Sequence, residues 1–121
     1  MSFQLKISGS NTLIIQFSGT VTKEEITAVR ENAIAMINSN DLNRIFCDIR
    51  KGDLNINQVD LFNFAASRKE VYRVIRRTAI LYAENSNIKE DVRLYCKGAS
   101  KRGVKIKAFS DLNKSKTWLN S

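Results

Sequence analysis

The sequence predicts an α/β domain: a mixed, mainly parallel sheet of about five strands, with an N-terminal β-hairpin and about four helices. The length of 121 residues suits one domain, which we expect to span residues 1–121. After two strand-like segments, segments with strand and helix patterns alternate, and no internal repeat or linker interrupts them. Such alternation favours crossover units, in which helices lie against a parallel sheet.

The first third of the chain predicts the hairpin and one helix. Residues 3–8 alternate apolar and polar side chains, which indicates a half-exposed strand at a sheet edge. Turn residues at 9–11 join it to a second strand at 12–18, and the short connection makes this pair antiparallel. Thr22 and Glu25 form a capping box. An amphipathic helix should follow, with its apolar stripe at Ile26, Val29, Ala33 and Ile37.

The segment 44–64 contains the first candidate site. Ile45–Ile49 is a short apolar run without alternation, which is typical of a strand covered on both faces. We expect the carboxylate of Asp48 to have a structural role, accepting hydrogen bonds from nearby backbone NH groups. A loop is predicted at 50–56, at the carboxyl end of this strand, where open α/β sheets bind ligands. The candidate binding residues there are Arg50, Lys51, Asp53, Asn55 and Asn57.

A second helix should begin after Asn57, which is a credible N-cap with Asp60 in the first turn. The helix is expected to end near Tyr72. Its predicted inner face consists of Val59, Phe62, Ala65 and Ala66, with the stem of Lys69 at the rim.

The last third predicts two strands, at 78–83 and 104–109, and two helices. Asn87 and Glu90 suggest a cap for the third helix, and Gly103 should end it. Asp111 should cap the final one. The buried stripe of the third helix is predicted at Ile88, Val92, Tyr95 or Cys96, and Ala99. On another face, basic side chains recur every four residues, which makes them candidate binding residues: Lys89, Arg93, Lys97 and Lys101.

The net charge of +8 is uneven along the chain. Residues 1–60 carry a net charge of −1, whereas residues 61–121 carry +9. This suggests a basic face for an anionic partner, and the alternative is a solvated surface that keeps the protein soluble. Each like-charged contact in the basic row costs about 0.2–0.5 kcal/mol, which is small enough for either interpretation. The sequence does not fix which way Arg73, Arg76, Arg77, Lys105 and Lys107 face.

Several function classes lack support in the sequence. Without histidine, a Gly-rich phosphate loop, or a serine or cysteine with a partner base, an enzyme is not expected. Without histidine or a closely spaced cysteine pair, no metal site is expected, and no cofactor is predicted. Cys47 and Cys96 are interpreted as buried free thiols in a reducing cytoplasm. No apolar run reaches the roughly 20 residues that span a bilayer, and MSFQLKISGS lacks secretory-signal features, so a cytoplasmic location is expected.

The order of elements, the strand ending in Asp48, and the segment KAFSDLNKSKTWL at 107–119 together resemble a known group. In that segment, Ser115 and Trp118-Leu119 lie in matching places. The chain resembles the SpoIIAA-like group, the fold shared by anti-sigma-factor antagonists, STAS domains and small STAS-like bacterial proteins. This resemblance implies the fold and a regulatory role through protein contact.

The resemblance does not extend to the phosphorylation switch. In the antagonists, a serine or threonine at the start of the second helix is phosphorylated by the partner kinase. Here the corresponding region reads GDLNINQVD, from Gly52 to Asp60, and no serine or threonine occurs between Ser39 and Ser67. Phosphorylation needs that hydroxyl, so the switch cannot operate there.

Four partners remain open at this point. An acidic protein comes first, because the resemblance implies protein contact. A lipid or small anionic ligand comes second, because STAS-like domains are often grouped with lipid-exchange proteins of a related fold. Nucleic acid comes third, since charge alone supports it and no recognition-helix motif is present. A homodimer through the first strand is the fourth, if that strand is an exposed edge.

Overall fold

The computed structural model describes residues 3–121, which form one five-stranded mixed sheet and four helices. The strand order β1-β2-β3-β4-β5 follows the chain; β1 and β2 are antiparallel, and the later pairs are parallel. Within residues 3–121, no helix has the length and apolar character needed to cross a membrane. The elements are β1 Phe3–Ser8, β2 Thr12–Thr22, α1 Lys23–Asn40, β3 Arg44–Asn55, α2 Gln58–Val71, β4 Arg77–Leu81, α3 Lys89–Ser100, β5 Ile106–Phe109 and α4 Leu112–Leu119.

The strand order determines where the helices lie. When parallel strands follow chain order, right-handed crossovers place every connecting helix on the same face of the sheet. Helices α1, α2 and α3 accordingly share one core with the sheet, to which Ile45 of β3 and Ile80 of β4 contribute. Helix α4 forms a smaller core on the opposite face, with Phe46 and Leu81. Strand β3 is therefore covered on both faces, as its continuous apolar run predicts.

The predicted caps are confirmed for three of the four helices. The Thr22 hydroxyl accepts a hydrogen bond from the backbone NH of Glu25 at 3.3 Å, and the Glu25 carboxylate accepts from the Thr22 backbone NH at 3.2 Å. The side chain of Asn57 caps α2, and that of Asp111 caps α4.

The predicted cap of α3 is wrong. Its N-cap residue is Ile88, and no side chain caps it. The chain enters this helix through a turn in which the hydroxyl of Ser86 accepts a hydrogen bond from the backbone NH of Ile88 at 3.2 Å. Asn87 therefore lies one residue too early in the chain to cap the helix.

The predicted loop at 50–56 is also wrong, because β3 continues to Asn55 and pairs with an equally extended β2. A register shift between Gln16 and Ser18 marks a bulge, after which Gly19 pairs with Gly52. A Cβ on Gly52 would lie 3.0 Å from the Ile49 side chain, so any larger residue there would displace that side chain. Val21, beyond the bulge, is fully buried and anchors the extension.

The inner face of α2 differs from the prediction as well. Ala65 is buried as predicted, and the other residues facing the core are Leu61 and Arg68, with Tyr72 at the end of the helix. The expected core residues Val59 and Phe62 are 69% and 55% exposed. The predicted and the observed inner faces both recur with helical spacing, and the observed one contains an arginine. An arginine is seldom buried without a charged partner, so the apolar pattern favoured the wrong face.

Candidate functional site

The predicted site residues after Ile49 lie on an extended strand and do not form a ligand loop. All five of the predicted residues are exposed: Arg50, Lys51, Asp53, Asn55 and Asn57. Asn57 is occupied as the cap of α2, because its Oδ1 accepts a hydrogen bond from the Asp60 backbone NH at 2.8 Å. On β3, Lys51, Asp53 and Asn55 stand at alternate positions and therefore share one face of the strand, whereas Asn57 follows the strand.

Asp48 and Arg50 form a close ion pair. The carboxylate of Asp48 accepts from Nε of Arg50 at 3.0 Å and from Nη2 at 2.8 Å, and it also accepts from the Arg50 backbone NH at 3.1 Å. Burial raises the pKa of the Asp48 carboxyl, but the hydrogen bonds and charge of Arg50 outweigh it and hold the pKa below its usual value. The structural role expected for Asp48 matches this geometry.

The predicted basic row lies on α3 and is only partly a free cationic surface. Arg93, Lys97 and Lys101 are exposed, whereas Lys89 is half-buried and its Nζ lies 3.4 Å from the Glu84 carboxylate. Arg93 and Lys97 line a groove between α3 and the edge strand β5, together with Lys107. Among residues 3–121, no hydrogen bond or ion pair joins this row to the predicted residues on β3. The two predicted groups are therefore not linked by direct polar contacts.

An apolar surface at the start of α2 was missed by the inner-face prediction. Val59 and Phe62 lie in the first two turns, and the guanidinium of Arg102 lies 5.3 Å from the centre of the Phe62 ring. Two turns further along α2, Nζ of Lys69 lies beside Gly103. A Cβ added to this glycine would be 3.5 Å from that nitrogen. We call these four residues, Val59, Phe62, Lys69 and Arg102, the Phe62 patch.

A strongly basic groove lies at the amino ends of β3, β4 and β5, and we call it the amino-edge groove. Its lining includes seven cationic side chains and no aspartate or glutamate within residues 3–121: Arg44, Arg68, Lys69, Arg73, Arg76, Arg77 and Lys105. Two of these hold the carboxyl end of α4. Arg44 donates to the Leu119 carbonyl and Arg77 donates to the Trp118 carbonyl, each at 2.8 Å. Cations in these positions also interact favourably with the helix dipole.

An apolar cavity of about 90 Å³ lies between the sheet and helices α1, α2 and α3. Its walls combine aliphatic side chains of the strands with residues from all three helices, including Ile15, Ile45, Ile80, Val29, Leu61 and Val92. The cavity is several times larger than the roughly 10–15 Å³ that one water molecule needs on this measure. Few polar groups reach its wall, and the one of most interest is the guanidinium of Arg68.

Arg68 is 8% exposed and lines both the apolar cavity and the amino-edge groove. Its guanidinium donates to the Tyr95 hydroxyl at 2.9 Å and to the Thr78 hydroxyl at 3.1 Å. The ring of Tyr72 stacks against it at 4.6 Å. Burial also raises the pKa of Tyr72 and of the Cys47 thiol at the same wall to about 12, so both remain neutral near pH 7.

Comparison with known proteins identifies the fold. No protein-family model matches the sequence, and neither does any curated protein. Among solved structures, the chain is similar to an anti-sigma factor antagonist from Mycobacterium paratuberculosis, with a TM-score of 0.66, 13% identity, and coverage of 98% of this chain and 93% of the other. It is also similar to the phosphorylated form of the Bacillus cell fate determinant SpoIIAA, with a TM-score of 0.62, 15% identity, and coverage of 96% and 98%.

A third similar structure is an uncharacterised DUF3478-family protein with a SpoIIAA-like fold from Shewanella loihica. It aligns with a TM-score of 0.58 and 20% identity, over 97% of this chain and 91% of the other. All three likenesses span nearly the whole of both chains, so the chain has a SpoIIAA-like α/β fold, as the order of its elements and its closing segment predict. At these identities the likeness concerns the fold alone.

Proposed function

We propose that this chain, which has a SpoIIAA-like fold, is a non-catalytic regulatory domain that binds an acidic protein partner without a phosphoserine switch. The observation that carries the proposal is the exposure of Val59 and Phe62, at 69% and 55%, on the first turns of α2. Clustered apolar side chains that remain exposed in a folded domain mark interaction surfaces. By the family resemblance, this is the place where the antagonists carry their phosphorylated hydroxyl.

The charge around these apolar side chains supports an acidic partner. Arg102 lies over the Phe62 ring, and Lys69, two turns further along α2, lies beside Gly103 and lines the amino-edge groove. A partner that places an apolar side chain on Phe62 and carboxylates beside it would bury the apolar area and pair with these cations. Aromatic and arginine side chains are also the types most enriched at the energetic centres of protein interfaces.

The proposal is tested by affinity capture of acidic proteins from a lysate at about physiological salt, with single-residue variants. Phe62→Ser and Val59→Ser should lose a partner that the wild type retains. The matched control is Val74→Ser, because Val74 is 57% exposed but lies outside the Phe62 patch. Circular dichroism should first show that all variants fold.

The outcomes separate the candidate surfaces. Loss in the Phe62 and Val59 variants with retention in the Val74 variant supports the Phe62 patch. Equal capture by all of these variants refutes it. A further variant reverses the charge of the predicted basic row, with Lys89, Arg93, Lys97 and Lys101 each changed to Glu. Loss of the partner in that variant alone would place the interface on α3.

Two other partners are weaker proposals with their own tests. Nucleic acid bound by the basic surfaces would dissociate steeply as salt rises, because cations that pair with phosphates release counterions. Strand β1 is an edge of the sheet and offers pairing to a second copy of the chain. Sedimentation that shows only monomer at high concentration would exclude such a homodimer. The remaining alternative, a lipid or small anionic ligand, concerns the apolar cavity.

A further inference from the structure

We propose that the apolar cavity binds a small monoanion, a carboxylate carried on a short apolar chain, and that Arg68 is its counter-charge. The proposal rests on the ligand-binding alternative and does not depend on the Phe62 patch. Protein contact and ligand binding can therefore fail separately.

Arg68 carries an unbalanced positive charge. The guanidinium is always protonated near neutral pH, and here it is buried with two neutral hydroxyls as its hydrogen-bond acceptors. Its Nε is buried without a hydrogen-bond partner, and among residues 3–121 no carboxylate oxygen lies within 4.0 Å of its nitrogens. Buried charges are normally paired, because an isolated charge in an apolar interior is strongly unfavourable. An anion is the missing partner.

The guanidinium of Arg68 is also held in a fixed position that suits a ligand. The ring centres of Tyr72 and Tyr95 lie 4.6 and 5.8 Å from Cζ of Arg68. These contacts with the aromatic faces favour the cation. The hydroxyls of Tyr95 and Thr78 fix its orientation from α3 and β4. A cation fixed in this way needs no reorganisation to receive a carboxylate, and arginine can bind both carboxylate oxygens.

Apolar space lies beside this charge. The cavity of about 90 Å³ is lined mainly by aliphatic residues of the sheet and of helices α1 to α3. Water gains little in such a cavity, whereas an aliphatic chain buries its surface there at a gain of about 0.8 kcal/mol per CH₂. The small volume suits a short chain and excludes a long one.

The other charged groups of the wall favour one negative charge in the ligand. Arg30 is already engaged, because it donates to the Phe64 carbonyl at 2.6 Å and to the Ser67 hydroxyl at 2.8 Å. Asp91 also lines the cavity, and its negative charge would repel a second negative charge on the ligand. The arrangement therefore suits a monoanion better than a phosphate dianion.

Isothermal titration of the full chain with hexanoate tests the proposal. Hexanamide is the matched neutral probe, and inorganic phosphate is the probe for an anion without a chain. Hexanoate should bind the wild type at least tenfold more tightly than either of these. Arg68→Met, which keeps the stem and removes the charge, should weaken hexanoate binding at least tenfold. Lys114→Met, at an exposed cation of α4, should not change it.

Three results would overturn the proposal. They are no binding of hexanoate to the wild type, equal binding of hexanoate and hexanamide, or phosphate binding as tight as that of hexanoate. The last would instead indicate an anion site in the amino-edge groove. These comparisons use the wild type, so they decide the question even if Arg68→Met does not fold. Phe62→Ser should bind hexanoate normally, so a failed protein contact would leave this result unchanged.

Discussion

Substitution of Asp48 by asparagine removes one negative charge from the close ion pair on β3 while it keeps the size of the side chain. The carboxylate accepts three hydrogen bonds from Arg50, at 2.8, 3.0 and 3.1 Å. Hydrogen bonds to charged groups contribute about 1.5–3 kcal/mol each when shielded from water. The Arg50 side chain is 45% exposed, so solvent screening reduces this contribution. We expect the variant to lose about 1–2 kcal/mol of unfolding free energy at pH 7.

The pH dependence gives the prediction a second, sharper signature. The pKa of Asp48 is lowered in the folded protein, because the bonds from Arg50 outweigh the effect of burial. Its stabilising contribution is therefore fully present above the unfolded-state pKa of about 3.9 and is lost as the pH falls through the folded-state pKa. Urea unfolding of wild type and Asp48→Asn should show a difference at pH 7 that shrinks as the pH falls below about 4.

Asp53→Asn is the matched control, because Asp53 is exposed on the same strand and makes no ion pair within residues 3–121. Its unfolding free energy should change by less than about 0.5 kcal/mol. Two findings would refute the reasoning about Asp48. One is an Asp48→Asn variant as stable as the wild type at pH 7. The other is a stability difference that stays constant down to the lowest pH at which the wild type remains folded.

Two further predictions concern the cores. Leu81 is fully buried between β4 and α4, so Leu81→Ala should cost about 2–5 kcal/mol in urea unfolding, whereas Leu94→Ala on the exposed side of α3 should cost far less. An equal loss in both variants would contradict the small core under α4. Burial raises the pKa of the Cys47 and Cys96 thiols to about 12, so few thiolates exist at pH 8. A thiol reagent should therefore react slowly with the native protein and rapidly in urea, and fast reaction of the native protein would show that these thiols are accessible.

Local signals in the sequence were sufficient for most of the elements. The caps at Thr22, Asn57 and Asp111 depend on side chains three residues before the backbone NH groups they satisfy, so the sequence alone identifies them. The strand and helix patterns also identified the sheet and the core of α3. These features depend on contacts within one element or on an element that has one clearly apolar face.

The orientation of α2 could not be predicted in the same way. Its two possible stripes differ in that one contains Phe62 and the other contains Arg68. Which stripe faces the sheet depends on hydroxyls from β4 and α3 that receive the guanidinium. The spacing of residues within one helix contains no information about such long-range partners. For the same reason, the sequence predicted neither the Phe62 patch nor the charge beside the cavity.

The amino-edge groove illustrates a second limit. Five of its seven cations lie between Arg68 and Arg77, whereas Arg44 and Lys105 come from distant parts of the chain. Their convergence requires the strand order, and the sequence indicated only that consecutive strands are neighbours. The crowding of Arg73, Arg76 and Arg77 was the one visible signal. The predicted row on α3 was easier to see because all its members share one helix.

The strand order has a consequence for synthesis of the protein. Each of β2, β3, β4 and β5 pairs with the strand that precedes it in the chain. As the chain emerges from the ribosome, each new strand therefore finds its partner already made, and no early strand waits with an open edge for a distant later one. Helix α4 comes last and closes the second face, and its buried contacts are to β3, β4 and β5. Once β5 has paired and before α4 has docked, the sheet is complete but the apolar surface around Phe46 and Leu81 is uncovered, so chaperones that recognise exposed apolar surface would bind at this stage.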